Sequence, residues 1–201
     1  MKNLFQSFEE KDFWDNVNLH IHTNLSDGKS TVSQTIEKFK TLKYFSITDH
    51  NCVDAYMLEE IKSLNNIITG VEFDCWYKGV LVHILGYGMD INNSDFQKLL
   101  AKTEKSKRAT ITRLIEARNT KKVIETIKNA GGIAILAHPA CYWCINLDKF
   151  IKDLTKFGLD GVECYYPYKR HRGIIKFHFA NTVNKIAEKY NLIKTGGTDE
   201  H

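Results

Sequence analysis

Residues 18–28 read N-L-H-I-H-T-N-L-S-D-G and place two histidines at the end of a short apolar segment. His20 and His22 are two positions apart, so in a strand both side chains point to the same side of the sheet. A polar loop that contains Asp27 follows directly. Because two imidazoles on one side of a strand can bind one cation, this segment predicts a strand whose carboxyl end carries metal ligands.

The remainder of the chain alternates short β-rich segments with amphipathic ones, which is typical of βα units around a parallel sheet. The third and fourth strands are separated by only a short turn, so a hairpin is an alternative to a crossover there. Residues 94–118 are long and charged, and we predict one long helix for them. The predicted strands are residues 16–21, 44–48, 67–73, 80–87, 132–136, 161–165 and 192–195.

The composition predicts one globular α/β domain over residues 1–201, with residues 1–15 as an N-terminal extension. Hydrophobic residues make up 43% of the chain and charged residues 26%, and the net charge is +4. No apolar segment is long enough to span a membrane, and the N-terminal segment lacks the features of a signal peptide, so we expect a cytoplasmic protein. The mild charge gives no reason to expect stable binding to duplex DNA. The oligomeric state and the role of the C-x-x-C pair, Cys141 and Cys144, stay open.

Histidines and acidic residues recur at the ends of the predicted strands. A single histidine is usually a core or surface residue, but this recurrence is hard to explain in that way, because the carboxyl ends of barrel strands converge on one face. Imidazole together with carboxylate favours Zn, Mn or Fe, and so many ligands indicate two to three divalent ions bridged by a carboxylate. The residues concerned are His20, His22, Asp49, His50, Glu72, His83, His138, Glu163, Asp199 and His201.

Seven motifs, in this order along the chain, resemble the PHP superfamily, which is named for polymerase and histidinol phosphatase. The resemblance implies a distorted (β/α)7 TIM-like barrel with a trinuclear metal site and at least one further helix beyond His201. The motifs are N-L-H-I-H-T-N-L-S-D-G (18–28), I-T-D-H-N (47–51), G-V-E-F (70–73), H-I-L-G-Y (83–87), L-A-H-P (136–139), G-V-E-C-Y-Y-P (161–167) and G-G-T-D-E-H (196–201).

The resemblance also implies a role for each candidate residue. Glu72 and Asp199 are expected to act in catalysis as metal ligands, and a metal-bridging hydroxide is the expected nucleophile. Asp49 and Glu163 are expected to fix the tautomer of ligand imidazoles, although Asp49 is equally well explained as a turn residue at a strand end. The implied ligand sets are His20, His22, Glu72 and Asp199 for the first ion, Glu72, His83 and His138 for the second, and Asp27, His50 and His201 for the third.

The implied activity is that of a metal-dependent phosphoesterase, a hydrolase acting on a phosphomonoester or a nucleotide-end phosphodiester. The expected partner is a small phosphorylated metabolite, a nucleotide or an oligonucleotide end. Arg170 and Arg172 follow the sixth strand and are expected to bind phosphate, with Arg108 and Arg113 as further candidates. The alternatives are a catalytically silent metal-stabilised module that supports a partner protein, a histidinol-phosphate-type phosphatase, and an amidohydrolase-like enzyme that attacks carbon.

The sequence lacks two motifs that would indicate other chemistry. The phosphate-binding pattern G-x-x-x-x-G-K-[ST] does not occur, so nucleoside triphosphate chemistry of that type is not indicated. The pattern G-x-S-x-G is also absent, which removes the usual signal of a serine hydrolase.

Overall fold

Two sheets form the frame of the protein in a computed structural model that describes residues 1–168 and 178–201. The smaller sheet pairs β1 with β2 in parallel, and the larger has the strand order β5-β3-β4-β6-β7-β8. In the larger sheet β4 runs antiparallel to both of its neighbours, whereas the other pairs are parallel. The strands are β1 (Val17–Asn18), β2 (Tyr44–Phe45), β3 (Gly70–Tyr77), β4 (Val80–Tyr87), β5 (Arg118–Asn119), β6 (Ile133–Leu136), β7 (Gly161–Tyr165) and β8 (Ile193–Gly196).

Isolated parallel bridges connect the two sheets on both sides. Ile21, just after β1, pairs with Glu200 beyond β8, while Phe45 of β2 pairs with Ile67 ahead of β3. A third bridge joins His50 to Glu72. The strands therefore follow one another as in a barrel, although continuous ladders do not close it in the described residues. This arrangement confirms the predicted α/β fold class.

Helices connect most strands and cover the outer face of the sheets. Helix α8 is representative: the Asn119 side chain accepts a hydrogen bond from the Lys122 amide at its start, and Val123, Ile124 and Ile127 are buried against the sheet. The helices are α1 (Lys2–Gln6), α2 (Asp12–Asp15), α3 (Val32–Phe39), α4 (Glu59–Lys62), α5 (Ser94–Gln97), α6 (Glu104–Arg108), α7 (Thr110–Ile115), α8 (Thr120–Asn129), α9 (Leu147–Thr155) and α10 (Ala180–Lys189), with 3-10 turns at Asp54–Met57 and Pro139–Cys141. None of the described helices is long and apolar enough to cross a membrane.

Residues 1–15 pack against the end of the sheets through aromatic side chains. The Phe5 ring lies 5.2 Å from that of Tyr87, and Phe13 stacks on Tyr165 at the same centroid distance. These rings belong to a second buried cluster, separate from the larger core between the sheet and the outer helices.

The structure decides between two alternatives and corrects one prediction. Strands β3 and β4 form a hairpin whose two turn residues, Lys78 and Gly79, both have positive φ, as a type I′ turn requires. The predicted long helix over residues 94–118 is wrong. Ala109 has extended backbone (ψ 113°), and Thr103 caps a new helix, so the segment forms three short helices and β5.

Candidate metal centre

The histidines and carboxylates predicted as ligands converge on the face formed by the carboxyl ends of the parallel strands. They form three groups of potential ligand atoms, and within each group all of these atoms lie within 4.8 Å of one another. The groups are His20, His22, Glu72 and Asp199; His22, Asp27 and His50; and Glu72, His83 and His138.

In the first group two imidazoles face two carboxylates. Nε2 of His20 lies 3.3 Å from Glu72 Oε2 and 3.2 Å from Asp199 Oδ1. Nε2 of His22 lies 3.1 Å and 3.2 Å from the same two oxygens. Asp199 has positive φ and is positioned by the Tyr166 hydroxyl, which donates to its Oδ2 at 2.7 Å. Two imidazoles and two carboxylates provide four nitrogen and oxygen donors of the kind that Zn or Mn would accept.

Glu72 belongs to two groups, because its two oxygens face opposite ways. Its Oε2 faces His20 and His22, whereas its Oε1 lies 2.9 Å from His83 Nδ1 and 3.4 Å from His138 Nε2. A single carboxylate shared in this way is what a bridge between two cations requires.

Asp27 is the centre of the third group. Its oxygens lie 3.7 Å from His22 Nδ1 and 3.7 Å from His50 Nε2. His201, which the resemblance assigned to this set, contacts Asp27 at 3.2 Å through Nδ1 and Asp199 at 3.2 Å through Nε2. It thus touches two carboxylates, whereas His22 completes the closely spaced group.

Buried atoms without hydrogen-bond partners test whether these residues suit cations. Buried polar atoms are nearly always satisfied in folded proteins, so an exception calls for a water, an ion or another explanation. Most of the unsatisfied side-chain atoms among the described residues belong to this centre. They are His20 Nε2, His22 Nδ1 and Nε2, Asp27 Oδ1, His50 Nδ1, Glu72 Oε1, His83 Nδ1 and His138 Nδ1. A neutral imidazole offers one nitrogen to a cation, so bound cations would satisfy the nitrogens that face the shared carboxylates.

The charges of the centre shift the pKa of its members. Burial alone would raise the pKa of Glu72, but the imidazole charges of His20 and His83 hold it well below its usual value. Burial alone would lower the pKa of His83, but the negative charge of Glu72, 2.9 Å away, raises it to about 9. A hydrogen bond to Asp199 and the neighbouring carboxylate of Asp27 raise the pKa of His201 to about 9. Protons on these imidazoles neutralise part of the negative charge of the carboxylates. A bound cation would supply the same positive charge.

Glu163 supports the ligand imidazoles from behind. Its Oε1 lies 3.0 Å from His20 Nδ1, and its Oε2 accepts a hydrogen bond from the backbone N–H of His138 at 2.9 Å. With Nδ1 of His20 donating to Glu163, Nε2 is the nitrogen that would offer its lone pair to a cation beside Glu72 and Asp199. This is the contact that the expected role of Glu163 requires.

Asp49 makes different contacts. Among the described residues, its hydrogen bonds come from the Thr23 amide and hydroxyl, both at 2.7 Å, and from the Ser26 hydroxyl at 2.6 Å. These bonds do not provide the expected contact between Asp49 and a ligand imidazole. They agree instead with the alternative, a turn residue at a strand end. Asp49 stabilises the loop that carries Asp27.

Asp74 also contacts the ligand imidazoles, although the motifs did not indicate it. Its Oδ1 lies 3.3 Å from His83 Nε2 and its Oδ2 lies 3.5 Å from His50 Nδ1, while Asn51 Nδ2 donates to Oδ2 at 2.5 Å. Asp74 is two positions after Glu72 in the same strand, so the period of two that identified His20 and His22 could have identified it.

Arg113 is the cation nearest to the centre among the described residues. It is buried, and its Nη1 donates to Asp27 Oδ2 at 2.6 Å. It lines a pocket of about 240 Å³ together with members of all three groups and Tyr166. Arg108, by contrast, is half exposed and pairs with Glu104.

The expected phosphate contacts Arg170 and Arg172 lie outside the described residues, in the segment 169–177.

Comparisons with known proteins agree with the fold. No family model matches the chain. A phosphoribosyl 1,2-cyclic phosphate 1,2-diphosphodiesterase of Eggerthella lenta is 21% identical, over 91% of this chain and 93% of that protein. The crystal structure of a proposed metal-dependent phosphoesterase from Bifidobacterium adolescentis superposes with a TM-score of 0.71 at 19% identity, covering 92% of this chain and 87% of that one.

A second solved structure is similar to the same extent. An amidohydrolase from Chromobacterium violaceum, solved with bound sulfate and no metal, superposes with a TM-score of 0.73 at 18% identity and the same two coverages. At these identities the similarity concerns the fold. Combined with the buried histidine and carboxylate clusters, it confirms the resemblance seen in the motifs: the chain has the fold of the PHP-type metal-dependent phosphoesterases.

Proposed function

We propose that this protein is a metal-dependent phosphoesterase that hydrolyses a phosphomonoester or a nucleotide-end phosphodiester. The observation that carries the proposal is Glu72, a buried carboxylate whose two oxygens each face histidines of a different group. A structural metal site is usually closed around one ion, whereas shared carboxylates are typical of catalytic centres with several ions. The name of the Eggerthella lenta relative, a phosphodiesterase, supports the same class of reaction.

The residues present suit two to three divalent ions of Mn, Zn or Fe. We assign His20, His22, Glu72 and Asp199 to the first ion, Glu72, His83 and His138 to the second, and Asp27, His50 and His201 to the third. When bound, such ions supply Lewis-acid polarisation of a phosphoryl oxygen and activate water for attack.

The chain's own residues then bind and orient the substrate. Arg113 lines the pocket beside the ligands, and its guanidinium supplies several fixed N–H donors for phosphoryl oxygens. Arg170 and Arg172 are proposed as further phosphate contacts. Glu163 holds the tautomer of His20, and Tyr166 holds the orientation of Asp199. The substrate is thus proposed to be a small phosphorylated metabolite, a nucleotide or an oligonucleotide end.

Metal analysis followed by an activity screen tests the proposal. We expect protein purified without chelator to hold at least two equivalents of Mn, Fe or Zn and to hydrolyse members of a phosphoester panel with Mn²⁺ added. The variant His20→Ala should lose this activity. His178→Ala is the matched control, because His178 contacts Cys144 rather than the centre.

Three results would contradict the proposal or one of its assignments. Fewer than two equivalents of metal would argue against a multi-ion centre. A protein that holds its metals but hydrolyses no phosphoester would instead support the alternative of a silent, metal-stabilised module. Activity that survives in His20→Ala would remove the role assigned to that ligand.

A further inference from the structure

The pocket at the metal centre and a second cleft share one lining residue, Cys141. Cys141, at the end of the 3-10 turn that follows His138, lines both the 240 Å³ pocket and a neighbouring cleft of about 310 Å³. The cleft lies between this turn and the tip of the β3–β4 hairpin, which it meets at Trp76, Val80 and Leu81. The cleft is therefore the neighbour of the metal centre on the side of Cys141.

The lining of the cleft is apolar and aromatic. Trp76 and Trp143 line it with 39% and 70% of their surface exposed, although tryptophan is normally well buried. The Trp76 indole N–H is already used in a hydrogen bond to the Leu114 carbonyl at 3.0 Å, which fixes the ring. No charged side chain of the described residues lines this cleft, whereas Lys78 and Lys149 line the next cleft outward.

We propose that this cleft binds a planar aromatic group carried by the substrate, while the phosphate of the same molecule lies at the metal centre. The inference rests on the proposed phosphoesterase function and adds the class of substrate. Stacking of a planar ring on an exposed indole face lowers the free energy of the complex, because both surfaces release water. A sugar or polyol would instead need hydrogen-bonding side chains, which this lining largely lacks. A volume of about 310 Å³ leaves room for one or two rings.

Binding of two phosphonates that differ only in the group on phosphorus tests the inference without turnover. Phenylphosphonate presents a ring and methylphosphonate does not, and neither has a hydrolysable ester. With metal-loaded protein in a calorimetric titration, we expect phenylphosphonate to bind about tenfold more tightly, which is the scale of one good aromatic contact with its buried area. In Trp143→Ala this preference should fall to about twofold.

Trp14→Ala is the matched control, because Trp14 is also exposed but lies on α2, away from the cleft. It should keep the full preference. An undiminished preference in Trp143→Ala, an equal loss in Trp14→Ala, or no preference in the unchanged protein would overturn the inference. Failure of the proposed function gives a different result: no hydrolysis of phenyl phosphate or glycerol phosphate with Mn²⁺, whatever the phosphonate preference.

Discussion

Glu72→Gln is the substitution that should damage the metal centre most. Glutamine keeps the size and shape of the side chain but removes its charge and weakens its oxygen as a ligand. Glu72 is buried and lies in two of the three ligand groups. The change should therefore affect two ions at once, whereas a change to His138 should affect one.

The size of the effect follows from the distances. The ring nitrogens of five histidines lie between 2.9 and 3.4 Å from the Glu72 oxygens, so a cation held by them lies within about 4 Å of this charge. At an effective dielectric constant of about 20, one unit charge at that distance contributes about 4 kcal/mol. Since about 1.4 kcal/mol corresponds to a factor of ten, affinity should fall about a thousandfold at each site.

Calorimetric titration of chelator-treated protein with Mn²⁺ measures this loss, together with the metal content of protein purified without chelator. Glu104→Gln is the control, because it removes an exposed carboxylate that pairs with Lys107 and Arg108. Circular dichroism shows whether the variant is folded. A folded Glu72→Gln protein with unchanged stoichiometry and affinity would refute the bridging role and the charge argument behind it.

Three further predictions concern residues around the centre. Arg113→Lys should lower kcat/KM for phosphoesters about tenfold or more, because lysine cannot make the paired contacts of a guanidinium, whereas Arg108→Lys should change it little. Asp74→Asn should weaken Mn²⁺ binding about 10- to 100-fold in the same titration, and unchanged affinity would show that its imidazole contacts are not needed. The raised pKa of His83 and His201, about 9 each, means that both hold protons at neutral pH that a cation must displace. Apparent Mn²⁺ affinity should therefore rise between about pH 6.5 and 9, and a flat profile over this range would contradict the assignment.

The convergence of the site was predictable because it depends on strand order and on side-chain alternation. His20 and His22 lie two residues apart at a strand end, and His138 and Asp199 follow later strands in the same way. Parallel strands bring such ends to one face, so a local pattern was enough. The groups found in the structure accordingly contain eight of the nine predicted ligands, His201 lying beside them.

Contacts between side chains far apart in the chain were not predictable in this way. Asp49 follows a strand as the ligands do, yet its hydrogen bonds go to Thr23 and Ser26. Its role depends on which loop lies beside it, and no spacing in the sequence shows that. The predicted long helix was wrong for a related reason. Ala101 donates to the Asn51 carbonyl, a contact outside its own segment that competes with helical hydrogen bonds.

Residue type and a period of two are local properties. The order of amino acids alone therefore indicates an α/β chain with imidazoles and carboxylates at its strand ends. The tertiary structure decided which of these groups share a cation. Only folding brings Glu72 between two sets of histidines, places Asp74 behind two of them and inserts Arg113 next to Asp27. The physical reason is that bridging and charge balance depend on distances of a few ångströms between distant segments, which only the packed chain defines.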